Sequence, residues 1–265
     1  RSRGLGDVYK RQDLRTPFNV NFVGLDQYIA LFHDRRFLHA LGVTGIFVLV
    51  GLPITMAIAL AFAVALNKGS KHLNAFFRAV FYAPVVASVV AVSVVWRYIL
   101  QKDGLLNSLL AVFGIAGPDW LHDTRYALPA LMAMTIWRNM GTLMIIFLAG
   151  LQAIPEELKE AAAIDGASRW QILRKVVLPI SWPTISVLFV FFFVWTWNEY
   201  MIPMAFLMSD DVQTIPLALA TLQGQRTMEA TTLASASLLS IIPTIIFFII
   251  FQRKLSQGIT AGAVK

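Results

Sequence analysis

Trp195, Trp197, Asn198, Glu199 and Tyr200 place a carboxylate and an amide among aromatic rings inside a long apolar run. That chemistry suits sugar hydroxyls, through ring stacking and bidentate hydrogen bonds. The competing reading is an aromatic belt at the membrane interface, with Glu199 at the headgroups. Arg138 and Asn139 form a second polar pair, inside the apolar stretch 127–151. Polar groups within a span are costly and draw attention as functional. Arg138 is expected to face the bundle and pair with a carboxylate or carbonyls, or else to line a pathway.

A third group is a polar interruption between two apolar stretches. It runs from Pro155 through Glu160, Ala161, Ala162, Asp165 and Gly166 to Leu178 and Pro179. Pro155 suits the first turn of a helix, where its missing N–H costs nothing. Glu156 and Glu157 complement the positive end of the helix dipole. Gly166 fits a left-handed helix terminus. Ser168-Arg169-Trp170-Gln171 reads as a capping box that opens a second helix. Arg174 and Lys175 favour that helix's C-terminal end, with Pro179 after it. The expectation is helix, glycine turn, helix. Leu158, Ala161, Ala162 and Ile164 would present an apolar, small-residue face to a partner or to the bundle.

Other chemistries lack their residues. Cysteine is absent, so there is no disulfide framework and no thiolate metal site. His33, His39, His72 and His122 are scattered without paired ligand spacing, and no metal site is expected. No glycine-rich loop ends in Lys-Ser or Lys-Thr. ATP and Mg, if used, bind another chain, and no cofactor is expected on this one. A catalytic cluster for a membrane enzyme is also missing.

The elements that position these groups follow from composition. Of 265 residues, 57% are hydrophobic and 14% charged, against roughly 25% charged in soluble domains. Five apolar segments, about 43–66, 79–100, 127–151, 181–207 and 232–251, each reach the ~20 residues that cross a bilayer. The fold class is all-α, a polytopic membrane helical bundle. Segment 22–39 reads as a short amphipathic helix at the surface, capped by Asp26, and Leu105–Phe113 as a re-entrant or interfacial helix.

The net charge of +7 is a matter of orientation. Lys68, Lys71, Arg78, Lys159, Arg169, Arg174, Lys175, Arg253, Lys254 and Lys265 fall on one side. Lys102, Arg125 and Arg226 fall on the other. The positive-inside rule places the first set, loop 152–180 and the C-terminus in the cytoplasm. No nucleic acid partner is expected.

Residues 1–12 begin without Met and resemble a translated adapter tract, so they are expected to be non-native. Residues 13–265 read as a single transmembrane domain. One further helix upstream is expected, giving six spans with both termini inside.

Glu160-Ala161-Ala162, Gly166 and Val176-Val177-Leu178-Pro179, at their spacing, resemble the EAA loop of ABC importer permeases. The family pattern has Ile where this chain has Val176. The resemblance implies a type I importer permease whose helix 154–166 seats in a cytoplasmic ABC ATPase dimer. ATP-driven closure of that dimer would rock the permease between inward and outward states. It implies an extracytoplasmic solute-binding protein, and a second permease subunit or a second copy of this chain. It places the chain in the bacterial inner membrane.

Phe22 to Tyr28 and Phe147 to Gln152 are similar to the first permease subunit of carbohydrate importers. Trp197 to Tyr200, Thr214 to Leu217 and Gln257 to Gly262 are similar to the second. Both signatures on one chain depart from the family's habit. They imply either a natural hybrid or two homologous genes joined near residues 170–185. The expected function is import of a sugar or related polyol. The rival class is an ion-coupled secondary transporter, which predicts buried ionisable residues in several spans and an inverted repeat.

Overall fold

The computed structural model describes residues 25–67, 71–207, 209, 211–224 and 230–263. Residues 1–24, Lys68, Arg226 and Lys265 lie outside them, as do the side chains of Lys71, Arg253 and Lys254. Among the described residues every regular element is helical.

The segment expected as one surface helix is two. Helix α1, Asp26–His33, ends at extended Asp34. Asp34 then caps α2, Arg35–Leu66, accepting from the N–H of Arg36 at 2.8 Å and of Phe37 at 3.4 Å. So Asp34 does the capping, while Asp26 sits in the first turn of α1 behind Leu25. Residues 35–39 belong to the first long helix.

The second expected span, 79–100, is broken. Helix α3, Lys71–Val86, and helix α4, Val89–Leu100, meet at a 98° bend. Pro84 removes a ladder donor just before the break, and the valines around it are poor helix formers. Asn74 Nδ2 donates to the Leu66 carbonyl at 2.5 Å and closes the α2–α3 hairpin.

Helix α5, Leu105–Val112, forms as expected. Asn107 organises the loop after it, donating to the carbonyls of Lys102 and Pro118 and accepting from Trp120 Nε1 at 2.7 Å. Helix α6, Thr124–Gln152, starts on an Asp123 cap. It runs alongside α2, and the buried core between and around them includes Phe47, Leu131, Met134 and Met144.

Helices α7, Glu156–Ile164, and α8, Arg169–Ile172, follow. A five-residue π-helical segment, Leu173–Val177, joins α8 to α9, Leu178–Trp197. The helix of Ser168–Gln171 therefore does not stop at Pro179. It runs on into the span, because Pro179 falls in the first turn of α9, after the widened π turn.

The run expected to continue to residue 207 breaks after Trp197 into a short α10, Met201–Phe206. Helix α11, Ile215–Gly224, docks on α2, its Ile215 N–H donating to Thr44 Oγ1 at 2.8 Å. Helix α12, Ala230–Ala263, runs antiparallel to α9 along a seam of Phe189, Phe193, Phe247 and Phe251. Among the described residues four helical stretches, Arg35–Leu66, Thr124–Gln152, Arg169–Trp197 and Thr232–Gln252, are long and apolar enough to cross a membrane. The bent pair supplies a fifth crossing if it acts as one span.

Candidate functional site

The polar element between α6 and α9 folds as its residues dictate. Helix α7 has no buried residue. Glu156 and Glu157 occupy its first turn, and Glu156 also accepts from Lys159 Nζ at 2.7 Å. At its end the Gly166 N–H donates to the Ala163 carbonyl and the Ala167 N–H to the Ala162 carbonyl, both at 3.0 Å. This double closure requires the residue after the cap to turn left-handed. Gly166 does so, with φ +81°. Ser168 and Gln171 then cap each other reciprocally, completing the box that opens α8.

Besides its charged residues, this element leaves large apolar side chains exposed. Ile164 is 85% exposed, Trp170 68% and Leu158 45%. Ala161 and Ala163 are exposed as well, while Ala162 is half-buried. Glu160, Asp165 and Gly166 lie on the same open projection. A Cβ added at Gly166 meets nothing within 4 Å, so the turn is open on its outer side. Leu178 and Pro179 begin the span beneath, with Leu178 half-buried and Pro179 exposed.

The aromatic group at the far end of α9 does not converge. Trp195 is 55% exposed and packs on Phe191. Trp197 is buried on the opposite face, stacked on Phe193, and its indole Nε1 donates to the Ser240 carbonyl at 3.0 Å. Asn198 folds back to donate to the Val194 carbonyl at 2.8 Å. Glu199 Oε1 accepts from the N–H groups of Met201 and Ile202 and starts α10. Tyr200 sits half-buried against the core. Together Asn198 and Glu199 make the joint between two helices.

Arg138 is half-buried, and its Nε is buried without a hydrogen bond among the described residues. The pairing expected for it is not found there. Asn139 points to a different feature. With Thr55, Thr135 and Thr196 it lines a cavity of about 10 Å³ where α2, α6 and α9 meet. That is the size of about one water. The Thr135 hydroxyl is buried there without a partner among the described residues, while Thr55 is satisfied by the Gly51 carbonyl. Sequence reasoning found Asn139 and missed the threonines. Thr135 lies one helical turn before Asn139, but only the packing of three helices brings Thr55 and Thr196 beside them.

The chain belongs to the family of binding-protein-dependent transport system inner membrane components, whose profile matches residues 33–261. It is similar to the "Probable ABC transporter permease protein YesP" of Bacillus subtilis, 40% identical over 167 residues, 62% of this chain and 53% of that one. The lactose transport system permease protein LacF of Rhizobium radiobacter is 34% identical over 168 residues, 63% of this chain and 56% of that one. The chain thus spans about half the length of the curated relatives it matches. Among solved structures, a bacterial ABC transporter involved in the import of the acidic polysaccharide alginate matches at TM-score 0.79. It covers 97% of this chain and 90% of that chain at 20% identity, a likeness of fold.

Proposed function

We propose that this chain is a permease subunit of an ATP-driven importer for a sugar or related polyol. In this reading a binding protein delivers the solute outside, and the spans pass it inward by alternating access. The nucleotide and its Mg sit on a separate ATPase dimer, which grips the α7–Gly166–α8 projection. A second permease subunit or second copy completes the pathway, and the C-terminus lies in the cytoplasm of a bacterial inner membrane.

The observation that carries this reading is the exposed apolar tip. Ile164 and Trp170 stand open at the end of a rigidly capped element rooted in a span. Burying such groups against a partner is worth about 1.5–3 kcal/mol each, and the caps on either side of the Gly166 turn hold them in place beforehand. The importer relatives support the class, and the lactose permease among them supports a carbohydrate. For the interior, Thr55, Thr135, Asn139 and Thr196 offer hydroxyl and amide groups to a passing polyol.

The test is uptake and co-purification in the assembled transporter, with Gly166→Trp. The structure leaves room for the new side chain, so any loss comes from backbone strain at φ +81° or from the partner. Gly166→Ala carries the strain alone, about 1–2 kcal/mol. The reading predicts that Gly166→Trp abolishes uptake and releases the ATPase, while Gly166→Ala weakens both modestly. Uptake and ATPase recruitment both surviving Gly166→Trp would refute it.

A further inference from the structure

A second cavity lies at the opposite end of the bundle from α7. The α1–α2 corner and α11 enclose about 510 Å³, within the usual range for small-molecule pockets. Arg35, Arg36, His39, Asp211, Gln213 and Thr221 line it with polar groups. Leu31 and Leu219 supply apolar wall.

Among the described lining residues the formal charges match in number, Arg35 and Arg36 against Asp34 and Asp211, and Asp34 already accepts two backbone N–H groups in capping α2. No ion pair joins these arginines to a carboxylate among the described residues. These described groups therefore mix strong donors with acceptors in equal formal charge. A polyanion gains little from such a set. A neutral ligand with many hydroxyls, each both donor and acceptor, suits it well.

The cavity also sits in line with the interior. Along α2 it reaches Ala40, whereas the polar cavity of Asn139 begins at Phe47. Seven residues of helix separate them, about 10 Å. Buried Thr44 and Phe47 close that interval, with Thr44 bonded to Ile215.

We propose that this cavity is a binding site for a neutral saccharide, on the far side of the Thr44–Ile215 seal from the interior. It holds the solute outside the bundle before passage. The proposal rests on the carbohydrate importer reading above.

The chain's lack of cysteine permits a direct test. Thr221→Cys is introduced into the assembled transporter, with all partner chains free of reactive thiols. The labelling rate by N-ethylmaleimide is then measured. Lactose, maltose and trehalose are first screened for uptake by the same transporter. The one transported should slow labelling at least fivefold without binding protein. Adding Gln213→Ala should raise the saccharide concentration for half-protection about tenfold. Unliganded binding protein alone should leave the rate unchanged. Transport with no protection by the saccharide overturns the site and spares the importer reading. Protection by binding protein alone also overturns it, making the cavity a protein-docking surface. If neither these nor any other saccharide or polyol offered is transported, the carbohydrate reading fails and the site falls with it.

Discussion

Gly141 of α6 lies directly against the Phe81 carbonyl of α3, so close that a Cβ there would overlap it. Backbone meets backbone at this crossing, and small residues are what allow membrane helices such approach. Gly141→Ala should destabilise the detergent-purified transporter by about 1–3 kcal/mol. Gly150→Ala is the control, because its Cβ would meet only a Thr184 methyl at 4.0 Å. Thermal unfolding midpoints compare them, and equal midpoints would exclude the crossing.

Trp197 ties α9 to α12 through its indole N–H and the Ser240 carbonyl, three residues before Pro243. Trp197→Phe keeps a ring for Phe193 but loses the donor. It should cost about 0.5–1.5 kcal/mol in the same assay. Trp195→Phe, on the exposed face, should cost nothing measurable.

Thr44 receives the Ile215 N–H while its own hydroxyl donates to the Ala40 carbonyl. Both residues are buried. Thr44→Val leaves that N–H unpaired, at about 1–3 kcal/mol, and should loosen α11. Hydrogen exchange at residues 213–219 reads this out, with Thr44→Ser retaining protection.

Asp119 accepts from the His122 ring at 2.9 Å and from the backbone N–H groups of His122 and Leu121. The His122 side-chain bond is the main reason its carboxyl lies below the ordinary value. A depressed carboxylate stabilises the fold above the ordinary value and loses that stabilisation as pH falls through the lowered one. Asp119→Asn should therefore cost a little at pH 7, under about 1 kcal/mol for a half-buried group still in reach of solvent. The difference from the native chain should shrink as the pH is taken below the ordinary Asp value of about 3.9. Unfolding midpoints at pH 7 and below that value decide it.

The elements written by local chemistry were legible in the sequence. Gly166, the Ser168–Gln171 box and α5 each depend on a few neighbours and came out as expected. The breaks at Ala87–Ser88 and at Asn198–Tyr200 were not, because apolar residues run on both sides and hydropathy averages across them. The role of Glu199 was hidden for a related reason. A carboxylate in an apolar run looks like a site, yet here it accepts two backbone N–H groups at a helix start. Pro179 looked like a stop but sits where a proline is tolerated, after a π turn that no simple period reveals. The threonines beside Asn139 come from three helices, and no reading along one chain brings them together.

The central claim is that the α7–Gly166–α8 projection is gripped by an ATPase. Ile164→Cys puts a single thiol at its most exposed apolar position in a chain with no other cysteine. A short thiol-to-amine cross-linker is applied to membranes holding the complete transporter. The account predicts one adduct joining this chain to the ATPase subunit, lost on Gly166→Trp. A functional transporter that yields no such adduct, or joins Ile164→Cys only to its own spans, would contradict it.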